Sequence, residues 1–232
     1  MKTFALIVLA VGGAAHAAIT TTKDSADFNT RNWEGDSVPG ALWGDLSDWS
    51  VSGGNYVMTQ DGVDGVAGSS GAFNSVTGWT AEWRMKLDPG NLPTSYDVAP
   101  RAAMVVHLAD ESTSAGHFQV LAMGRNDAGE FVVFDNVSGN TLLFEGGRLD
   151  EFHAVRLAMK GIGGDSEIRL YVDDVEVTAP TGAVNVGYNR QWFGDEGAVV
   201  SSGTAIVDYF RYDTTGAYAI PGPTQSTVIL IQ

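Results

Sequence analysis

Histidine, arginine and tryptophan are the residues of this sequence whose types and spacing point most directly to chemistry. His107 alternates with Val105, Ala103 and Arg101, so in an extended chain Arg101 and His107 project to one face. His117 and Gln119 share a face in the same way. Polar groups of this kind on one sheet surface would hydrogen-bond sugar hydroxyls; the alternative is that they are solvated strand residues without a role. A sugar site also needs an aromatic platform, because the C–H face of a pyranose is apolar. The stretch Asn189-Arg-Gln-Trp-Phe193 supplies Arg190 and Trp192, read as a loop ahead of the last strand, and Trp192 is the best single binding candidate. His153 alternates with Val155, Leu157 and Met159 and is expected to be a packing histidine.

Other chemistries are poorly provided for. The chain has no cysteine, which removes disulfides, thiolate zinc sites and thiol nucleophiles together. Gly68-Ser-Ser-Gly-Ala72 narrowly misses the G-x-S-x-G pattern and lacks the strand-to-helix setting of a nucleophile elbow; a surface loop is expected there. Gly161-Ile-Gly-Gly-Asp165 hints at a dinucleotide fingerprint but joins two strands and opens no helix. No histidine stands at zinc-ligand spacing. Asp plus Glu number 28 against 13 Lys plus Arg, and the resulting charge of −15 repels phosphate backbones, so nucleic acid is excluded as a partner. Calcium is the metal such a chain suits, since a hard cation takes carboxylates and backbone carbonyls, although no EF-hand loop is present.

The elements that must position these groups are strands. Trp79 to Leu87 puts Trp79, Ala81, Trp83, Met85 and Leu87 on one face and Thr80, Glu82, Arg84 and Lys86 on the other. The same period of two runs through 102–109, 117–123, 130–135, 141–145, 152–160, 168–178 and 205–212. Turn chemistry separates them at Asp88-Pro-Gly90, Asn126 to Gly129, Ser138 to Asn140 and Asp173-Asp174. With no helical stripe to make parallel crossovers, the pattern predicts an all-β, antiparallel two-sheet sandwich, in one domain over 18–218. Glycine, 29 of 232 residues, fits the many turns this needs.

The ends read differently from the body. Residues 1–17 carry Lys2, an apolar run from Phe4 to Val11 and Ala15-His16-Ala17, the pattern of a secretory signal peptide cleaved before Ala18. That apolar run falls far short of the roughly 20 residues a bilayer span needs, so no stable membrane span is expected and the protein is read as secreted or cell-surface. Residues 219–232 form a tail. Pro221-Gly-Pro223 followed by the apolar run Thr227 to Ile231 resembles the opening of a PEP-CTERM sorting signal, cut short and with Gly222 where that family has Glu; a loose end is the other reading.

Several stretches together resemble the concanavalin A-like or laminin G-like jelly-roll domains of secreted bacterial proteins. They are Phe28 to Pro39 with Trp43 and Trp49, the Trp79 to Leu87 strand, Asp150-Glu-Phe-His-Ala-Val-Arg-Leu157, the hairpin Ile168 to Val177, and Phe193-Gly-Asp-Glu with Val207-Asp-Tyr-Phe-Arg-Tyr212. Asp174 stands where that hairpin usually has glycine, so a different turn type is expected there. The resemblance implies a concanavalin A-like jelly roll and a polysaccharide or cell-surface glycan as partner. It also implies a structural calcium held by Asp208, with Glu34 and Asp36 as weaker ligands; the competing role for Asp208 is to hydrogen-bond the sandwich edge. No other cofactor is required. Glycosidases of this fold carry Glu-x-Asp-x-x-Glu on one strand, since acid and nucleophile must face the same bond. Here the only Glu-x-Asp is Glu34-Gly-Asp36, which runs into a turn, and no catalytic residue is assigned. The expected function is a non-catalytic carbohydrate-binding module. The alternatives are a polysaccharide lyase or glycoside hydrolase of the same fold and an envelope structural or adhesion protein without a glycan site.

Overall fold

The structure, a computed structural model, describes residues 18–47, 49–60, 65–70, 73–91, 102–110, 117–136, 141–162, 166–181, 183–184, 190–195 and 203–222. The signal-peptide reading, the apolar tail run, Arg101 and the turn at 138–140 lie outside them.

The strands form two antiparallel sheets. The first contains β1 (Thr30–Trp33), β3 (Trp49–Ser52), β4 (Asn55–Gln60), β6 (Trp79–Leu87), β11 (His153–Lys160), β12 (Glu167–Val172), β13 (Val175–Val177) and β16 (Gly203–Asp213). Its order is β13-β12-β11-β6-β16-β4-β3, with β1 also on β16. The second contains β2 (Ala41–Gly44), β5 (Gly65–Ser70), β7 (Ala102–Ala109), β8 (His117–Arg125), β9 (Glu130–Asp135), β10 (Thr141–Arg148), β14 (Ala183–Val184) and β15 (Arg190–Asp195). Its order is β10-β9-β8-β7-β15-β5-β2, with β14 on β8. Sequence neighbours that lie in opposite sheets, such as β6 and β7 or β15 and β16, are the crossings of a jelly roll.

Alternation decides what the sheets bury between them. From β6, Trp79, Ala81, Trp83, Met85 and Leu87 all enter one core, where they meet Met104, Val106 and Leu108 of β7, Leu157 of β11 and Phe210 of β16. Trp79 stacks on Phe73 with ring centroids 4.4 Å apart. Phe193 lies 5.6 Å from Trp49 and 5.3 Å from Phe210, so an aromatic row joins the two layers. Burying such rings supplies most of the drive to fold.

Two segments depart from the sequence reading. Arg190–Asp195 is strand β15 rather than a loop, paired to β5 on one side and β7 on the other. Gly65–Ser70 is strand β5, not a surface loop, and its Gly68 is a packing glycine: a Cβ there would lie 2.3 Å from the Gln191 carbonyl and 2.5 Å from Trp192 Cβ. The β12–β13 turn also keeps the conformation that glycine usually supplies. Asp173 and Asp174 have φ of 49° and 65°, both positive as in a type I′ turn, which short polar side chains tolerate.

Asp173 explains why the turn is worth that conformation. Its carboxylate accepts from the Ala154 amide at 2.9 Å and meets His153 Nδ1 at 2.6 Å, while His153 Nε2 meets the Arg148 carbonyl at 2.8 Å. A carbonyl only accepts, so Nε2 carries a proton, and a carboxylate partner then asks Nδ1 to carry one as well. His153 is thus buried as expected, and satisfied at both nitrogens, with Phe131 stacked on its ring at 4.3 Å. Burial alone would lower its pKa, but the Asp173 carboxylate and the Arg148 carbonyl together raise it. Burial likewise pushes Asp173 up, and His153 and the Ala154 amide outweigh it, leaving Asp173 below its ordinary value. A raised imidazole pKa means stability that is full below about pH 6.5 and declines as pH rises through the folded value. A lowered carboxyl pKa means stability that is lost only as pH falls through that lower value. Urea midpoints measured across pH should therefore decline from mildly acid to mildly alkaline pH, and Asp173→Asn should flatten that decline. Trp83→Ala, which empties the centre of the core, should cost about 3–5 kcal/mol by urea denaturation.

Candidate functional site

The polar face of β6 does not look into open water. Glu82 and Arg156 of neighbouring β11 stand side by side in register on the outer face of the first sheet, only 4% and 3% exposed. Glu82 Oε2 accepts from Arg156 Nε at 2.6 Å, and its other oxygen accepts from the Tyr209 hydroxyl at 2.6 Å. Arg156 Nη1 goes on to donate to the carbonyls of Lys23 and Ala219, at 2.9 and 3.0 Å. Burial and the adjacent Glu82 carboxylate both push the Tyr209 phenol well above its ordinary pKa, so it stays a proton donor. The cover comes from the two end segments, Ile19 to Phe28 and Gly216 to Gly222, which are joined by the parallel bridge Thr22 to Ala219. Phe28 lies under the Arg156 guanidinium at 5.1 Å.

Beside this network lies a groove. A depression of about 310 Å³ is lined by Asp24 and Ser25, Glu82 and Arg84, Ala154 and Arg156, Asp174, Tyr209, Ile220 and Pro221. A second, of about 500 Å³, shares Asp174, Ile220 and Pro221 and adds Tyr171, Glu176 and Gly222. Volumes of this order suit a sugar residue or two. Glu82 and Arg156 neutralise each other and Glu176 is paired with Arg169 at 3.5 Å, which leaves Asp24 and Asp174 as exposed acceptors and Arg84, paired on one side with Asp208, as a donor. With the guanidinium groups each held by a carboxylate, Asp24 and Asp174 leave the groove negative, hospitable to hydroxyls and amines and hostile to a polyanion.

The residues singled out in the sequence are distributed otherwise. His107 and Trp192 do come together, on the outer face of the second sheet, with ring centroids 4.4 Å apart. Trp192 is 0% exposed, in a cluster with Val66, Val105, Val120 and Phe134, so its ring is a packed surface and not an open platform. Gln119 is paired with Leu108 and faces the main core, the side opposite His107, so the two do not share a surface. The side chains of His117 and Arg190, and all of Arg101, lie outside the described residues. Glu82, Arg156, Tyr209, Tyr171 and Asp174 were not singled out for chemistry. Their alternation marked Glu82 as outward-facing, but only the folded ends show that this face is covered.

The carboxylates expected at a calcium are each engaged. Asp208 takes Arg84 at 2.5 Å, Glu34 takes Arg211 through both oxygens at 2.8 and 2.7 Å, and Asp36 accepts from Ser37 at 3.3 Å. Among the described residues no three His, Asp or Glu side chains gather as a metal group. Backbone oxygens do converge. A Cβ on Gly35, whose φ is +74°, would lie 1.7 Å from the Gly54 carbonyl oxygen and 3.1 Å from that of Asp208. Those two oxygens are hard donors of the kind calcium takes, and Asp208 adds the carboxylate that Arg84 holds.

No protein-family model matches the chain, and no curated protein matches it. Among solved structures it is similar to a carbohydrate esterase from the Shiga toxin-encoding bacteriophage phi24B, with 15% identity over 76% of this chain and 87% of that one, TM-score 0.50. It is also similar to a mutant alginate lyase in complex with an alginate tetrasaccharide, with 9% identity over 82% and 97% of the two chains, TM-score 0.50. A Trypanosoma rangeli sialidase matches at 12% identity and TM-score 0.51, over 78% of this chain but only 30% of the sialidase. At these identities the likeness is one of fold: the chain is a two-sheet antiparallel β-sandwich of jelly-roll type.

The Glu82–Arg156 pair itself is testable. Removing one member strands the other charge in a buried place, so Arg156→Met should cost about 3–5 kcal/mol in urea. Arg156→Met combined with Glu82→Met should recover most of that loss.

Proposed function

We propose that this protein is an exported carbohydrate-binding module that holds a neutral or amino-bearing glycan without cleaving it. The observation that supports the reading is the groove on the outer face of the first sheet, where Asp24, Asp174, Glu176 and Arg84 present hydrogen-bonding groups around sugar-sized depressions. Hydroxyl protons of a sugar would go to the Asp174 and Asp24 carboxylates, and Arg84 would donate to a ring or hydroxyl oxygen. Hydrogen bonds to charged groups contribute more than neutral ones, so the carboxylates would carry much of the affinity. The negative groove and net charge of −15 favour uncharged or cationic sugars over uronates.

Affinity electrophoresis of the purified chain against a panel of neutral, amino-bearing and uronate polysaccharides tests this, with the same mixtures assayed for new reducing ends and unsaturated uronate absorbance. Retardation by neutral or amino-bearing polysaccharides without products is expected. Asp174→Asn, which keeps the positive-φ turn, should weaken it about fivefold. Product formation would replace the binding reading by an enzymatic one, and no retardation on the whole panel would leave an envelope role in front.

Calcium belongs to the same proposal as a structural ion, held by the Gly54 and Asp208 carbonyls and the Asp208 carboxylate. It would pin the β3–β4 turn to β16 and take no part in binding. At a hundredfold excess over its Kd, calcium should raise the unfolding midpoint by about 5–10 °C over a chelator-treated sample. An unchanged midpoint would assign Asp208 to Arg84 alone.

A further inference from the structure

We infer that Glu167 is the seat for the α-ammonium group that removal of the leader creates at Ala18, so that processing itself tightens the fold. The inference rests on cleavage between Ala17 and Ala18. The amide of Ile19 donates to Glu167 Oε2 at 2.7 Å, while Oε1 of the same carboxylate is held by Arg169 Nε at 2.7 Å. Ile19 is 1% exposed and packs with Ala158 and Ala217, so the start of the mature chain is anchored rather than trailing. Consecutive backbone nitrogens lie within about 3.6 Å of each other, which puts the Ala18 nitrogen within about 6 Å of the Glu167 carboxylate. In the uncleaved chain that nitrogen is a neutral amide. After cleavage it is a cation within reach of a carboxylate oxygen that accepts from the Ile19 amide and that no side chain occupies among the described residues.

The charges around this seat are few. Arg169 bridges Glu167 to Glu176 of β13, at 3.5 Å, and Lys160 of β11 is the register partner of Glu167. Lys23, further along the same segment, is engaged by Asp213 at 2.5 Å. The ammonium therefore has the Glu167 carboxylate within reach, with Lys160 and Arg169 as the neighbouring cations. Glu167 is 26% exposed, so the pair is partly screened and its effect is modest. Its reach is longer than its strength. Ala219 donates to the Thr21 carbonyl at 2.9 Å and Lys23 donates to the Ala219 carbonyl at 3.3 Å, and the residues that follow, Ile220 and Pro221, wall the groove. Holding the first residues down thus also holds a wall of the groove.

The chain from Ala18 to Gln232, prepared once with a free α-amine and once N-acetylated, tests the pair. At pH 6 the free-amine form should unfold about 2 °C higher than the acetylated form. An ammonium paired with a carboxylate has a raised pKa, so the difference should be full below about pH 7.7 and fade as pH rises through the folded value. Glu167→Gln should abolish the difference between the two forms, whereas a merely structural role for Glu167 would lower both forms equally and leave the difference intact. Equal midpoints for the free and acetylated wild-type forms at pH 6 would overturn the inference. Mass measurement of the protein exported with its leader tests the cleavage reading separately: a start at Ala18 supports it, and a start elsewhere overturns the assignment of the amine to Ala18.

Discussion

The Glu82–Arg156 ion pair, buried on what should be the water-facing side of a sheet, is the interaction on which the arrangement of this molecule turns. Neither charge tolerates burial alone, and each has its remaining hydrogen-bonding capacity met by a neighbour: Tyr209 for the carboxylate, two backbone carbonyls for the guanidinium. Those carbonyls belong to Lys23 and Ala219, near opposite ends of the folded chain. One side chain of β11 therefore fixes where both ends lie. The ends in turn cover Thr80, Glu82 and Arg156 and leave a groove along their margin.

The two outer faces of the sandwich are built on different principles. On the second sheet, Val105, Val120, Ala122 and Phe134 surround Trp192 and His107, an apolar surface whose members are at most 5% exposed. On the first, charge and hydroxyl groups dominate, and cations lie over aromatic rings: Arg84 and Lys86 over Phe152, Arg211 over Tyr209. Recognition of a hydroxylated ligand belongs more naturally to the second kind of surface, where directional groups remain exposed at the groove's rim. This moves the candidate site away from the tryptophan that the sequence favoured and onto residues that the sequence presented only as the polar half of a strand.

Much of the fold was legible residue by residue. The alternation of Trp79 through Leu87 named the inward side of β6 without error, and Ala102–Ala109 and Glu130–Asp135 are strands at the expected bounds. His153 was readable as a packing residue because its parity matched Val155 and Leu157. Strand β15 was not legible, since Arg190-Gln-Trp-Phe-Gly-Asp does not alternate polar and apolar groups: adjacent Gln191 and Trp192 are both buried, one on each face. A central strand covered on both sides loses the contrast between faces on which the period-of-two argument depends. Gly68 misled for a related reason: its spacing resembled a loop motif, whereas it is the small residue that lets β15 approach β5.

By itself the sequence determined the class of structure, the inward residues of the half-buried strands and the absence of thiol and disulfide chemistry, because these follow from local periodicity, composition and the absence of cysteine. It could not determine which outward residues would be covered, nor which would meet. Gln119 and His107 look alike as polar residues of neighbouring strands but face opposite sides, because cross-strand register and not spacing along one strand decides which residues share a face. Glu82, Arg156 and Tyr209 are separated by more than fifty residues each and are brought together only when β6 is hydrogen-bonded between β11 and β16. Charge pairing of that kind depends on distances in space and on the exclusion of water, and both come into being only with the tertiary structure.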